Sequence, residues 1–399
     1  MKLLVIGAGQ MGSAAAYDMA KSPEVKSVTL ADADYRRAKD AAARVNELVR
    51  GKKVAADEID AASEKAAKKL MRDHHAALSA VPYFYNLGLA KAAIDARCHF
   101  ADLGGNNRVV RAELDLSRKA EKSGVAIAPD CGLSPGMASI LAGELMRRIG
   151  GRAQALKIYV GGLPVKPRPP FNYQMVFSVE GLINEYVEPA RILRDGKVTT
   201  VEPLTELETF RLDPLPALEA FQTSGGTSTL PETFEDHVEE CFEKTLRYPG
   251  HCAMIRSLYD LGMFSSEKRR INGAEISPRE VTARLLQEKF AGDGPDMTVL
   301  RVEAHSPKPG AIRRLLGKQA EPERCLSFTL VDRFDPETGM TSMMRTTAWP
   351  ASVIVQMLAS GAIAKRGAVL QERDVPAREF LEAMAQRGIE IRYQSKLAS

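Results

Sequence analysis

Three glycines near the start of the chain have the spacing GxGxxG. Gly7, Gly9 and Gly12 directly follow the apolar run 3–6 and precede a segment with helical periodicity. In such a turn the first glycine makes the bend, the second lets the backbone approach a pyrophosphate, and the third allows close helix–strand packing. The N–H groups at the helix start then bind the phosphates. The pattern predicts an NAD(P)-type dinucleotide; the alternative is a glycine-rich turn without a ligand.

A carboxylate follows this turn at the spacing of a ribose contact. Asp32 ends the second apolar run, about twenty residues after the turn. A carboxylate there accepts a hydrogen bond from the ribose 2′-OH and repels a 2′-phosphate. We therefore expect NAD rather than NADP, although the neighbouring Arg36 and Arg37 offer cations to a 2′-phosphate.

Residues at the ends of later strands are expected to line the same cofactor, because ligands of open α/β sheets lie at the carboxyl ends of the strands. Asp60 follows the third predicted strand, and the fourth and fifth end at 80–81 and 103–104. An ordinary turn is the alternative explanation of the glycine pair at 104–105. The predicted cofactor-binding residues are Gly7, Gly9, Gln10, Met11, Gly12, Asp32, Asp60, Ala80, Val81, Leu103 and Gly104.

The hydrophobic pattern predicts the elements that position these residues. Short continuous apolar runs alternate with helical segments such as 35–50; the runs are 3–6, 27–31, 54–59, 76–81, 98–103 and 125–129. Continuous runs are typical of strands covered on both faces, and their alternation with helices indicates a doubly wound parallel sheet. We therefore expect an α/β fold with an N-terminal Rossmann domain over residues 1–130.

The pattern changes after residue 130. Longer or alternating runs at 155–163, 297–304, 325–331 and 341–347 predict strands of an α+β domain that spans residues 131–345 and carries substrate contacts. Helical segments at 350–360 and 376–386 follow, and we expect the region 346–399 to return to the Rossmann domain. The polar stretch 305–324 is predicted to be a loop or hairpin.

Composition excludes several classes of function. The chain has 399 residues and a formal charge of +4 with both signs interspersed, which argues against nucleic-acid binding. Apolar runs are too short to span a membrane, and the run 3–6 enters the glycine turn without room for a signal peptide. The five scattered cysteines indicate free thiols in a reducing compartment and no metal site. We therefore expect a cytoplasmic protein.

Longer strings carry a resemblance to a known family. They include ADLGG at 101–105, APDCGLSPGM at 128–137, YVGGLPVKPRPPFNY at 159–173, FQTSGGTSTL at 221–230 and KTLRYPGH at 244–251. Together they resemble the saccharopine dehydrogenase-like family over nearly the whole chain, and within it the lysine 6-dehydrogenases. The resemblance implies a homodimer formed through the second domain. It also implies NAD-dependent oxidation of the lysine ε-amine to the 6-semialdehyde, which cyclises to a piperideine carboxylate.

Two departures favour lysine over saccharopine as the substrate. The resemblance implies that saccharopine reductases have an arginine at the position of Glu180 and an Asn-Arg-Asp run at 225–227, where this chain has Gly-Gly-Thr. Loss of these cations suits a diamino acid better than a tricarboxylate, so Glu180 is predicted to bind the substrate α-ammonium. A solvated glutamate at a helix start is its alternative. A saccharopine or carboxynorspermidine-type reductase and a non-catalytic NAD(P)-sensing protein also stay open.

The substrate α-carboxylate requires a cation or a group of N–H donors. Arg247 and the hydroxyl-rich segment 223–229 both offer these groups, and the choice between them stays open. Tyr83 is expected to contact the aliphatic chain of the substrate; the alternative is a tyrosine that only packs against its neighbours. His251 is expected to be a core histidine. The predicted substrate contacts are Tyr83, Glu180, Thr223, Ser224, Gly225, Thr227 and Arg247.

The implied reaction requires a base. Hydride leaves carbon only when the nitrogen lone pair is free, and at pH 7 only about one lysine ε-amine in 2,000 is neutral because its pKa is near 10.4. Asp130, at the end of the sixth predicted strand, and Asp102, at the end of the fifth, are the predicted catalytic residues. The alternative for each is a structural carboxylate that binds loop amides.

Overall fold

A computed structural model describes residues 1–175, 177–292, 294–307 and 323–397. The chain divides into two compact units. The first unit comprises Met1–Glu144, Asp335–Met340 and Met344–Glu390, and the second comprises Leu145–Phe334, Thr341–Met343 and Ile391–Ser399. The first unit therefore extends past the predicted boundary at residue 130.

The first unit contains a seven-stranded sheet whose paired strands are all parallel. Its strands are β1 (Lys2–Ile6), β2 (Ser27–Asp32), β3 (Val54–Glu58), β4 (Ala76–Ser79), β5 (His99–Asp102), β6 (Ala126–Ala128) and β17 (Gly367–Ala368). Their order, β17-β6-β5-β4-β1-β2-β3, places β1 beside β4, where the winding direction reverses. This is the predicted doubly wound Rossmann sheet, whose ligands bind at the carboxyl ends beside the reversal.

Helices pack on this sheet through faces lined by small apolar residues. They are α1 (Gln10–Lys21), α2 (Tyr35–Leu48), α3 (Glu64–Met71), α4 (Asn86–Ala96), α5 (Asn107–Leu114), α6 (Ser117–Lys122) and α7 (Ala138–Ile149), which continues into the second unit. In α2 the buried positions Ala38, Ala42 and Val45 recur at helical spacing. Asp34 begins α2 by accepting hydrogen bonds from the amides of Arg36 and Arg37.

Helices near the C-terminus return to the first unit, as predicted. They are α12 (Ser342–Ser360), which begins in the second unit, α13 (Gln371–Asp374) and α14 (Ala377–Gln386). Ser352 Oγ donates to the buried Asp18 at 2.7 Å, and Arg387 Nε donates to the same carboxylate at 2.6 Å. Among the described residues, no helix is long and apolar enough to cross a membrane.

The second unit contains a nine-stranded mixed sheet and a separate hairpin. The sheet strands are β7 (Ala153–Pro164), β8 (Ala190–Arg194), β9 (Lys197–Val201), β10 (Glu208–Phe210), β11 (Leu218–Gln222), β12 (Val238–Arg247), β15 (Asp296–His305), β16 (Arg324–Arg333) and β18 (Arg392–Leu397). The hairpin pairs β13 (Arg269–Ile271) with β14 (Ala274–Ile276). The helices are α8 (Val179–Val187), α9 (Leu230–Phe234), α10 (His251–Asp260) and α11 (Pro278–Phe290). Only β7 and β12 pair in parallel among the described strands of this unit.

Two sequence predictions for the later part of the chain are wrong. The run 341–347 was expected to be a strand, but α12 begins at Ser342 because the distant Asp296 carboxylate accepts the amides of Ser342 and Met343 at 2.6 and 2.9 Å. The region after 346 also ends in strand β18, which pairs with β16, rather than in helices alone. Most of the predicted loop at 305–324 lies outside the described residues.

Candidate active site

Two of the three turn glycines are required by packing within the first unit. Gly7 has φ +104°, and a Cβ on it would lie 2.6 Å from the carbonyl oxygen of Ala80 at the end of β4. A Cβ on Gly12 would overlap the carbonyl oxygen of Gly7. Because Gly7 has no side chain, the end of β4 can pack against the turn. Because Gly12 has none, α1 can pack against the same turn.

Gly9 is different, because packing does not require it. A Cβ on Gly9 would meet no described atom within 4 Å. Gly9 precedes α1, and no side chain of the described residues caps this helix, whose exposed first residue is Gln10. Unbonded N–H groups at a helix start with space before them fit a pyrophosphate. The turn therefore fits a dinucleotide.

Asp32 joins the end of β2 to the glycine turn. Its Oδ2 accepts the amide of Ala8 at 2.8 Å, its Oδ1 accepts the amide of Asp34 at 3.0 Å, and its side chain is 12% exposed. Each carboxylate oxygen has a further lone pair, so a ribose hydroxyl could still donate to it. Arg37 Nη1 lies 3.8 Å from Oδ1, and Arg36 is exposed beside it.

The remaining predicted cofactor residues do not all lie near the glycine turn. Ala80 and Val81 flank Gly7, since a Cβ on Gly7 would also lie 3.0 Å from Val81 Cγ1. Leu103 and Gly104 follow β5 at the same edge of the sheet. Asp60 is exposed beyond β3, the outermost strand of the sheet, and its carboxylate accepts the amide of Ala62 at 2.9 Å. Its contact with a cofactor stays a prediction.

The two predicted catalytic carboxylates are both buried at the carboxyl edge of the sheet. Asp102 is completely buried, and its Oδ1 accepts the amides of Gly104 and Asp130 at 2.6 and 3.3 Å. Asp130 is 3% exposed and has φ +61°. A Cβ on Gly104 would overlap Asp130 Oδ1, so this glycine admits the carboxylate. Asp102 thus binds loop amides, and Asp130 is the better candidate base.

Sequence reasoning missed a third carboxyl group in this cluster. Glu113 on α5 is completely buried, and its carboxyl group lies within hydrogen-bonding reach of Asp102. In the part of the chain that the structure describes, Asp102 Oδ2 and both Glu113 oxygens lack a conventional donor. Burial raises the pKa of Glu113, and the charge of Asp102 raises it further. The direction of this shift favours a neutral Glu113 that donates its proton to the ionised Asp102.

Replacing Glu113 with glutamine is expected to stabilise the protein at neutral and alkaline pH. The folded-state pKa of Glu113 is raised, so the native state binds the extra proton and stability falls as pH rises above the unfolded pKa near 4.3. Glutamine donates the same hydrogen bond without ionising. Denaturation at about pH 8 should show a gain on the order of 1–3 kcal/mol in the free energy of unfolding. The exposed variant Glu121→Gln is the control, and a loss of stability in Glu113→Gln would contradict a neutral Glu113.

In the second unit, a guanidinium is buried at the end of β12. Arg247 is 3% exposed, and its Nη1 donates to the carbonyl oxygen of Leu246 at 3.0 Å. Its guanidinium lies 5.0 Å from the centre of the Tyr173 ring. Its Nη2 is 3.8 Å from Glu185 Oε2, which is an ion pair but not a direct hydrogen bond. Arg247 is thus held in place with donors to spare.

A buried carboxyl group lies on the same strand. Glu243 is 3% exposed and accepts hydrogen bonds from Thr223 Oγ1 at 3.2 Å and Thr245 Oγ1 at 3.4 Å. A Cβ on Gly226 would overlap Glu243 Oε2, so the missing side chain of this glycine leaves space for the carboxyl group. Burial and, to a lesser extent, the charge of Glu185 raise the pKa of Glu243 to about 8. Burial also raises the pKa of Glu185 to about 7, although Arg247 opposes the shift.

The predicted segment 223–227 lies against these carboxyl groups. Thr223 bonds to Glu243, and the Ser224 amide donates to the carbonyl oxygen of Glu185 at 3.0 Å. Gly225 has φ +97° and open space beside it, whereas Thr227 Oγ1 donates to the carbonyl oxygen of Arg191 at 2.8 Å. The sequence did not indicate Glu185 or Glu243. The available signal was an acid inside the buried run 243–247 of β12.

Three other predicted residues lie outside this cluster. Glu180 lies in the first turn of α8, is 56% exposed and pairs with Arg279 at 2.7 Å, so a cation already neutralises it. Tyr83 belongs to the first unit and is half-buried beside Gly105. His251 contacts Tyr186 Oη at 3.0 Å and the Phe171 carbonyl oxygen at 2.9 Å, and burial lowers its pKa to about 3. It is a neutral core histidine.

Curated relatives match part of the chain. A saccharopine dehydrogenase [NADP(+), L-glutamate-forming] of Pyricularia oryzae is 24% identical over 243 residues, which are 59% of this chain and 53% of the relative. The enzyme of the same name from Saccharomyces cerevisiae is 23% identical over 58% of the chain and 53% of its own length. The mitochondrial alpha-aminoadipic semialdehyde synthase of Rattus norvegicus is 23% identical over 54% of the chain. The chain thus spans about half the length of the first two relatives, and a quarter of the third.

A solved structure and two family models cover nearly the whole chain. The apo saccharopine dehydrogenase (L-Glu forming) from Saccharomyces cerevisiae has a TM-score of 0.79 at 19% identity over 99% of both chains, which confirms the α/β fold. The model of the saccharopine dehydrogenase NADP binding domain matches residues 3–128. The model of the saccharopine dehydrogenase C-terminal domain matches residues 132–389. The chain belongs to the saccharopine dehydrogenase family.

Proposed function

We propose that the protein is a nicotinamide dinucleotide-dependent oxidoreductase that oxidises the ε-amine of L-lysine. The observation that carries the choice of substrate is the combination of buried Arg247 and Glu243 with half-buried Glu185 in a chain that also has a dinucleotide-binding turn. A guanidinium suits a carboxylate, and carboxylates suit ammonium groups. Lysine carries one carboxylate and two amines, which this set of side chains complements.

The proposed reaction converts an ammonium, an oxidised dinucleotide and water into an aldehyde, ammonia as its cation, a reduced dinucleotide and one proton. A dinucleotide bound at the glycine turn would supply the acceptor for the hydride from Cε. The chain must first take the proton from the ε-ammonium, because only the neutral amine releases hydride. Asp130 is the proposed acceptor, since its buried carboxylate follows β6 by two residues at the carboxyl edge of the sheet. The product semialdehyde then cyclises with its own α-amine.

Saccharopine is the second candidate substrate, because the two fungal relatives are named for acting on it. A tricarboxylate would bring three carboxylates to a cluster that offers one guanidinium, Arg247, and already contains the carboxyl groups of Glu185 and Glu243. A panel of L-lysine, saccharopine and carboxynorspermidine, assayed with NAD and NADP through the absorbance of the reduced nicotinamide, separates the candidates. We expect turnover of L-lysine; turnover of saccharopine alone would contradict the proposal, and no turnover of any amine would favour a sensing protein.

We also propose that the dinucleotide is NADP. The comparisons favour NADP, whereas Asp32 had suggested NAD. The matching family model and the fungal relatives carry NADP in their names. In this chain both Asp32 oxygens already accept backbone amides, and Arg37 lies 3.8 Å from that carboxylate. We propose that Arg36 and Arg37 turn toward a 2′-phosphate.

Replacing Arg37 with alanine is therefore expected to weaken NADP binding by about tenfold while changing NAD binding by less than about twofold. Titration of each dinucleotide measures this. The variant Lys39→Ala removes another exposed cation of α2 and serves as the control. Equal losses for both dinucleotides, or tighter binding of NAD by the unaltered protein, would contradict the choice of NADP.

Two further proposals follow from the sequence: the first rests on the family resemblance and the second on the five scattered cysteines. We propose a homodimer formed through the second unit, and light scattering of the purified protein would measure its mass directly. We propose a cytoplasmic location, which imaging of the tagged full chain would test.

A further inference from the structure

We propose that Glu185, Glu243 and Arg247 form the binding site for an α-amino-acid head group. In this assignment Arg247 binds the α-carboxylate, and the two glutamates bind the α-ammonium. The inference rests on the proposed function, which supplies lysine as the amino acid, but it concerns a different part of the substrate from the reacting ε-amine. It replaces Glu180 as the partner of the α-ammonium.

Arg247 has bonding capacity that the described residues do not use. Its side chain is only 4% exposed, yet its Nε has no hydrogen-bond partner in the described chain. Its contact with Glu185 is 3.8 Å, longer than a hydrogen bond. A buried donor without a partner is uncommon and requires an explanation, and a ligand that brings acceptor oxygens supplies one. A carboxylate can bind a guanidinium through two parallel hydrogen bonds.

The two glutamates provide the complementary charge next to this guanidinium. Glu185 contacts Arg247, and its side chain is 30% exposed, so solvent reaches the cluster at this carboxyl group. Glu243 is close enough to feel the charges of both Glu185 and Arg247; Thr223 and Thr245 donate to it, and Gly226 leaves room for its oxygens. An amino-acid head group carries its ammonium and carboxylate on one carbon. Adjacent binding groups of opposite charge therefore match it.

Protons compete with the ammonium for these carboxyl groups. The pKa of Glu185 is raised to about 7 and that of Glu243 to about 8, chiefly by burial. The charged or titratable groups around them are Arg247, Tyr173, Tyr186 and His251; Arg247 opposes the shift of both carboxyl groups. An ammonium binds the ionised forms, so affinity for the head group should rise as pH increases from about 6 to about 8.

The test combines changes in the protein with deletions in the ligand. L-lysine, 6-aminohexanoate, which lacks the α-ammonium, and cadaverine, which lacks the carboxylate, are titrated against the full chain by calorimetry. Glu243→Gln is expected to weaken L-lysine binding by at least about tenfold and 6-aminohexanoate binding by less than about twofold. Arg247→Lys should weaken L-lysine in the same way and leave cadaverine unchanged. Between about pH 8 and pH 6, the affinity for L-lysine should fall, while that for 6-aminohexanoate should not.

Controls separate this inference from a structural effect and from the proposed function. Glu240→Gln changes an exposed acid on the same strand and should leave all three affinities unchanged. Equal weakening of L-lysine and 6-aminohexanoate in Glu243→Gln, or no weakening of either, would overturn the head-group site even if L-lysine is oxidised. Conversely, the predicted ligand pattern without oxidation of L-lysine would support the site and refute the proposed function.

Discussion

Replacing Gly9 with alanine is expected to weaken nicotinamide dinucleotide binding by at least about 100-fold, or ~2.8 kcal/mol, without changing the melting temperature. The reason is that a Cβ on Gly9 meets no described atom within 4 Å, so the folded chain accommodates it. The same Cβ would occupy the space through which a pyrophosphate approaches the start of α1. Titration with NADP and NAD, together with thermal denaturation, measures both effects.

Gly12→Ala is the matched comparison, because its Cβ would overlap the carbonyl oxygen of Gly7. This variant should lose stability as well as cofactor binding. The contrast between the two glycines distinguishes a ligand requirement from a packing requirement at positions three residues apart in one turn. Undiminished dinucleotide binding by a folded Gly9→Ala protein would show that the turn holds no cofactor.

The second large effect is a rise in kcat/KM for L-lysine of roughly tenfold per pH unit between about pH 7 and pH 9. Hydride transfer requires the neutral ε-amine, and the proton that Asp130 accepts must pass on to solvent. The fraction of the complex that has lost this proton therefore increases tenfold per pH unit below a pKa near 10.4. Ionisation of Glu185 and Glu243 changes affinity for the head group in the same direction over the lower part of this range. Initial rates of reduced-nicotinamide formation across buffers of constant ionic strength measure the profile.

Asp130→Asn provides the control for the base in this profile. If Asp130 accepts the proton, the variant should be slower by about 100-fold at pH 8 while dinucleotide affinity is unchanged. Glu121→Gln, an exposed change in α6, should not alter the rate. A rate that is flat from about pH 6 to pH 10 would contradict deprotonation of the amine as a requirement.

The parallel sheet could be predicted from sequence because its strands are buried on both faces. Continuous apolar runs such as 27–31 and 125–129 coincide with β2 and β6, and the glycine turn follows β1 as expected. The prediction of a strand at 341–347 was wrong for a non-local reason. Threonines and methionines there resemble a strand, but Asp296, far away in the sequence, binds the amides that begin a helix. Local patterns do not contain such a cap.

The buried carboxyl groups illustrate a similar limit. Glu113, Glu185 and Glu243 look like ordinary surface acids until the fold brings their partners together. Gly226 and Thr223 contact Glu243 from a segment before β12, and Asp102 contacts Glu113 from the preceding strand.

Gly104 shows a further limit, because the structure requires a glycine there to leave space for the carboxylate of Asp130, whereas its contact with a cofactor stays a prediction. Sequence indicated that a small residue is needed at this position. It did not indicate which group would occupy the space.

The most direct test of the central claim follows the hydride itself. The protein is incubated with oxidised dinucleotide and L-lysine that is deuterated at Cε or, separately, at Cα, and the reduced dinucleotide is analysed by mass spectrometry. We predict that deuterium reaches the dinucleotide only from Cε. Transfer from Cα, or a dinucleotide that gains deuterium from neither substrate, would contradict ε-amine oxidation by this chain.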